Sequence, residues 1–221
     1  MNLRYITADW IYPVSSPRMR HGVVVLEGDR IIETTSRQLV PADQLEYHKG
    51  IIIPGLINTH CHLELSHLKG KAPTGAGLLP FISHVVKFRN EAQADIDAAI
   101  IAADAEMWNN GIQAVGDICN KADTFPVKRS SKIKYYSFVE MFDFLQDQQT
   151  DIMIKGYMDA YTTAPEPRSA VPHAPYSVSS NLFNHINTLN QSKGTVSIHN
   201  QETPAEQEFF LQGTGGFFGF Y

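Results

Sequence analysis

The apolar positions of this chain change period near residue 51. Before it they come in short runs, Leu3 to Thr7, Trp10 to Val14, His21 to Glu27 and Arg30 to Glu33, a pattern that predicts strands. The last two meet at Gly28-Asp29, residue types that tolerate the positive φ of a tight hairpin. From Ile51 onward, short apolar runs alternate with stretches of three- and four-residue spacing. Helices are predicted over Leu79 to Arg89, Ala94 to Asn109, Asp151 to Tyr161 and Asn181 to Asn190. In the second, Ile96, Ala99, Ile100, Ala103 and Met107 share a face and Gly111 stops the helix. In the last, Ser179 or Ser180 supplies the cap and Leu182, Ile186 and Leu189 the stripe. Strands are predicted up to His60, over Gln113 to Cys119, Ile133 to Met141, Ala170 to Pro175 and Thr195 to His199. Such alternation predicts parallel βαβ units, in a (β/α) barrel or a doubly wound sheet.

Three of these runs end in histidine. The first leads into His60-Cys61-His62; on an extended strand His60 and His62 share a face and Cys61 points the other way. Two imidazoles so spaced suit a divalent transition metal if a further ligand arrives from elsewhere. The run Thr195-Val196-Ser197-Ile198 ends in His199, with Glu202 three residues on and Pro204 placed as the first residue of a helix. Ala170-Val171-Pro172 ends in His173. A (β/α)8 barrel assembles its site from the C-terminal ends of several strands, where these histidines fall. A dinucleotide-binding sheet would carry a Gly-rich loop after its first strand, and none is present. The fold expected is therefore α/β: a partial TIM (β/α)8 barrel over 55–221 behind a small N-terminal β domain over 1–54.

Composition narrows the partners. With 43% hydrophobic and 19% charged residues the chain reads as globular, and a net charge of -5 argues against nucleic acid or an anionic membrane. The basic cluster Lys128-Arg129-Ser130-Ser131-Lys132 reads as a solvated loop. Cys61 and Cys119 are too few for a disulfide framework and read as buried thiols. Asp9 interrupts any secretory core and no stretch reaches membrane-spanning length. A cytoplasmic protein with a small-molecule substrate is expected.

Pro54-Gly55-Leu56-Ile57-Asn58-Thr59-His60-Cys61-His62, His173-Ala174-Pro175-Tyr176-Ser177 and His199-Asn200-Gln201-Glu202-Thr203 together resemble the amidohydrolase superfamily, in its branch of chlorohydrolases and adenosine-type deaminases. The stretch His62-Leu63-Glu64-Leu65-Ser66 points within it to aminofutalosine-type deaminases. The resemblance implies His60, His62 and His199 as metal ligands, Glu202 as general acid/base and His173 as a pocket residue on the fourth strand. No Lys lies between Ala170 and Tyr176, so one divalent ion is implied, zinc with iron as the alternative. Such an ion lowers the pKa of bound water toward about 7, and hydroxide then attacks an amidine-like carbon while Glu202 carries the proton to the departing amine. Glu64 is expected to face the pocket as a substrate contact. His62 to His67 has the wrong spacing for a His-Glu-x-x-His pair, so His67, like His84, reads as a surface or packing residue. Asp117 and Glu140 are weaker pocket candidates. Glu202 also fits a helix N-terminal carboxylate, and His173 a structural histidine between two prolines.

The family's barrel has eight strands, and five are counted here. The resemblance implies that a sixth-strand His, an eighth-strand Asp ligand and the rest of a composite β-sandwich belong to a longer parent chain. The end at Gly213 to Tyr221 reads as an interruption, and open barrel edges favour homo-oligomers. Three readings stay open: a deaminase of amino-heterocycles or nucleosides, a cyclic amide or chloro-heterocycle hydrolase with the same ligands, and a non-catalytic remnant.

Overall fold

The computed structural model describes residues 3–191 and 194–218; Gly219, Phe220 and Tyr221, part of the expected interruption, lie outside them. The chain divides into two compact units, Met1–Gly55 and Leu56–Tyr221.

The first unit is one sheet built from β1 (Leu3–Ile11), β2 (Met19–Arg20), β3 (Gly22–Glu27), β4 (Arg30–Ser36) and β5 (Leu45–Ile52), in the order β2-β1-β3-β4 with β5 parallel to β1. The break expected after Thr7 does not occur. Thr7 is buried and donates its hydroxyl to Gly22 O at 2.7 Å, which satisfies a polar side chain inside the sheet. Val23, Val25 and Val40 form the core of this unit, with Tyr5 and Leu45 against it. The apolar run from Ile51 is also two strands, not one: Ile51 and Ile52 close β5, and after Pro54-Gly55 a new strand opens.

The second unit alternates strands and helices. Its strands are β6 (Leu56–Cys61), β7 (Ile112–Cys119), β8 (Lys134–Met141) and β9 (Arg168–Pro172), all parallel and in sequence order. Its helices are α1 (Leu78–Phe88), α2 (Gln93–Asn109), α3 (Phe125–Ser130), α4 (Thr150–Thr163), α5 (Ser180–Asn190) and α6 (Pro204–Gln212). One core joins Ile96 and Ile100 of α2 to Val115 of β7, Ile133 and Tyr135; another joins Val139, Met141 and Ala170 to Ala160 of α4 and to Leu182 and Ile186 of α5. Each buried aliphatic side chain contributes roughly 1.5–3 kcal/mol. At Gly116, in β7, a Cβ would lie 2.8 Å from Thr59 O and from the Phe138 ring, so only glycine lets β7 approach β6 beside His60.

Two expectations need correction. Thr195 to His199 carries no strand. Side chains take the place of a ladder: Tyr136 Oη accepts from Thr195 N–H at 3.1 Å and Ser169 Oγ donates to Thr195 O at 2.6 Å. In this second unit four paired strands are therefore found among the described residues, where five were expected. The basic cluster was expected to be a solvated loop, and Lys128 departs from that, whereas Arg129 and Lys132 are exposed. Lys128 lies on α3 with its side chain 0% exposed and its Nζ 2.6 Å from Asp117 Oδ2, itself fully buried. The Lys stem packs inward and the charge is met by a partner. No helix among the described residues is long and apolar enough to cross a membrane.

Candidate metal centre

His60 stands near the end of β6, and the chain turns directly after His62 into a short 3-10 helix, Leu63–Leu68. That turn is held from behind: Asp117 Oδ1 accepts from Leu63 N–H at 2.8 Å. The two imidazoles end with centroids 5.1 Å apart.

The other two histidines arrive rung by rung, His173 just past the end of β9 and His199 in the strandless segment beside it. His173 N–H donates to Met141 O at 3.1 Å and His199 N–H to His173 O at 2.8 Å. These two bonds carry the sheet's spacing past β9 and set His199 against the first pair, its centroid 4.7 Å from His60 and 5.3 Å from His62. One ligand atom each from His60, His62 and His199 lies within 4.8 Å of the others. After His199 the backbone takes a left-handed step at Gln201 (φ 56). Glu206, the capping-box partner of Thr203 at the start of α6, then accepts from Glu202 N–H at 2.8 Å. The turn brings Glu202 Oε1 to 3.4 Å from His199 Nδ1.

Glu140, the next-to-last residue of β8, is 4% exposed, and its Oε1 lies 3.5 Å from His199 Nε2. Neither atom has a hydrogen-bond partner. Burial alone would lower the pKa of His199, but the carboxylates on its two sides outweigh it and raise the value to about 9. His62 has no such neighbours on both sides, and burial lowers it to about 4. His60 and His173 are likewise lowered, chiefly by burial. Neutral imidazoles present lone pairs, the form a metal requires. His60 and His62 are in that form, and His199 joins them once a cation displaces its proton; with the buried Glu140 carboxylate beside them they form a donor set that fits a borderline ion of the zinc or iron class.

His62, His173 and His199 open onto a cavity of about 300 Å³. One wall is apolar, with Phe81, Ile82, Val85 and Val86 of α1 facing Phe142 and Phe144; the polar lining includes Glu64, Arg89 and Asn120. Glu64 accepts from Asn120 N–H at 3.0 Å and pairs with Arg89 at 3.3 Å. Burial nevertheless pushes its carboxyl up to about 7. The structure thus brings His60, His62, His199 and Glu202 together, and sets His173 and Glu64 in the cavity wall. Asp117 does not line the cavity, and His67 is 7% exposed rather than at the surface. Arg89 and Asn120 were not anticipated, since no motif surrounds them; Glu140, a weaker pocket candidate from its place near the end of β8, does line the cavity.

No family model matches the chain. It is 25% identical over 180 residues to an aminodeoxyfutalosine deaminase of Nitratiruptor sp., covering 78% of this chain and 44% of that protein. It is 26% identical over 204 residues to a 5'-deoxyadenosine deaminase of Methanococcoides burtonii, covering 84% and 45%. Among solved structures, an aminofutalosine deaminase of Helicobacter pylori superposes with a TM-score of 0.80 at 20% identity over 99% of this chain and 56% of that one. An adenosine deaminase of Xanthomonas campestris with bound zinc gives 0.68 at 18% identity, over 96% and 52%. The chain spans about half the length of the curated relatives it matches. The resemblance to the deaminases of the amidohydrolase superfamily, drawn from the His60, His173 and His199 motifs, is borne out by these relatives.

Proposed function

We propose that this chain carries the N-terminal half of a metal-dependent hydrolase that deaminates an adenosine-like nucleoside, with residues 55–221 as part of a (β/α)8 barrel and 1–54 as an accessory β domain. The observation that carries the proposal is the convergence of His60, His62 and His199 within 4.8 Å, with Glu202 touching the third of them. The sequence relatives named above are deaminases of such nucleosides, which favours an amine over chloride or an amide as the leaving group.

His60, His62 and His199 would hold one divalent cation, zinc before iron, whose role is to make a water-derived nucleophile available near neutral pH. The residues do the rest. Contact with His199 holds the Glu202 carboxyl below its usual range, so it is ionised and accepts a proton as the nucleophile adds to the amino-bearing carbon. The same carboxyl passes that proton to the ring nitrogen, then takes the second proton from the newly added hydroxyl and gives it to the departing amine, leaving ammonia and a carbonyl. His173 borders the reacting edge of the base, and Glu64 meets the substrate in the cavity wall. The apolar side of the cavity excludes water and takes the unreactive part of the nucleoside. A reducing, cytoplasmic setting accords with the free thiols of Cys61 and Cys119.

The test is ammonia release by the zinc-loaded full-length protein from 5'-deoxyadenosine, methylthioadenosine and aminodeoxyfutalosine. Turnover is expected with at least one, and Glu202→Gln is expected to lower kcat by about 10²–10⁴ with zinc still bound. Zinc binding without ammonia from any substrate overturns the deaminase reading.

A further inference from the structure

The three-histidine cluster is not the only convergence of ligands at the strand ends. Glu140, His173 and His199 also bring one ligand atom each within 4.8 Å of one another, each from the end of a different strand or from the segment after it. We propose that these three residues form a second seat for the divalent cation, overlapping the first at His199, so that one ion has two positions in the site.

Three observations carry this. Glu140 is 4% exposed, and its Oε1 and the facing His199 Nε2 are both buried without a hydrogen-bond partner. Two ligand atoms each about 2.0–2.1 Å from a tetrahedral zinc lie about 3.3 Å apart; Glu140 Oε1 and His199 Nε2 stand at 3.5 Å, a ligand-to-ligand spacing. His173 is oriented for the same task. The Ser177 hydroxyl lies 2.6 Å from His173 Nδ1 and 3.2 Å from Ala174 O; with its proton directed to Ala174 O, its oxygen accepts from His173 Nδ1–H. The lone pair is thereby left on Nε2, the arrangement in which an outer hydrogen bond fixes a metal-binding tautomer. A carboxylate and two imidazoles match the donor sets of catalytic zinc sites. Because one nitrogen lone pair serves one ion, the shared His199 makes the two seats alternatives. An ion on the second seat would be held in part by His173, which lines the cavity.

The inference depends on the proposed three-histidine centre only through His199, and cobalt(II) separates the two. Calorimetry and visible absorption on the whole chain are expected to show one Co²⁺ bound. In the His60→Asn/His62→Asn variant a Co²⁺ site survives, and adding Glu140→Gln or His173→Asn to it lowers the remaining affinity at least tenfold. Glu140→Gln alone alters the visible bands, because the wild-type spectrum includes a carboxylate-bearing environment; this single substitution decides the matter should the double variant not fold. Loss of all Co²⁺ binding in the folded double variant, or bands unchanged by Glu140→Gln, overturns the second seat and leaves the first standing. Absence of Co²⁺ binding by the wild-type chain overturns both.

Discussion

His199 stands between two carboxylates, Glu140 at 3.5 Å and Glu202 at 3.4 Å, and this position makes a pH prediction. Burial disfavours its charged form, but the carboxylates carry its pKa to about 9 from an ordinary value near 6.5. The folded state therefore holds a proton that the unfolded chain releases. That stabilisation is fully present below about pH 6.5 and is lost as pH rises through about 9. His62, at about 4, has titrated before this window, while Glu64, raised to about 7, releases its proton in the lower part of it and adds to the same decline. The thermal midpoint of the chain in EDTA is expected to fall between pH 7 and 9, and saturating zinc, which needs the neutral ring, to remove the decline; a flat EDTA profile contradicts the assignment. Burial pushes both thiols, Cys61 and Cys119, up to about 12. Neither is expected to react with Ellman's reagent at pH 8 until denaturant is added. The histidines were legible because each closes an apolar run. Arg89 was not, because its meaning lies in Glu64 and Asn120, which only the fold brings to it.

At the scale of elements, the turn after β6 depends on a pair buried behind β7. Asp117 binds Leu63 N–H with one oxygen and the Lys128 ammonium with the other. Lys128→Met leaves a buried carboxylate without its partner and is expected to cost about 3–5 kcal/mol in denaturant unfolding. Asp117→Leu combined with Lys128→Met restores much of that stability but not cation affinity, since Leu63 N–H loses its anchor. A wholly structural pair would recover both. Helix α1 has a different role. None of its residues is buried, yet Phe81, Ile82, Val85 and Val86 line the cavity, so its apolar face awaits an occupant. Val85→Asp is expected to raise KM for a nucleoside about tenfold with kcat little changed, read from steady-state kinetics. The helical period of α1 was plain in the sequence, whereas the cavity beneath it was not. The helix α3 was missed because a short basic stretch resembles a loop until the buried acid that neutralises Lys128 is known.

For the whole molecule, the second unit ends its described sheet on two strands with one partner each, β6 on β7 and β9 on β8. Leu56 and Ile57 on β6 are 50% and 68% exposed. Unpaired edges of this kind recruit further strands, so the chain is expected to self-associate in size-exclusion chromatography as concentration rises. Ile57→Lys, a charge on that edge, is expected to shift it toward monomer, and an unchanged profile excludes β6 as the contact. The sequence by itself determined the helix faces, the parallel alternation and the three histidine endings, because hydrophobic period, caps and strand ends are local properties of a few neighbouring residues. Only the tertiary structure decided which carboxylate meets His199, that Lys128 is buried on Asp117, and that hydroxyls of β8 and β9 replace a fifth strand's ladder. Those contacts join residues far apart in the chain, and packing, rather than any local preference, selects among the many partners a carboxylate or an ammonium will accept.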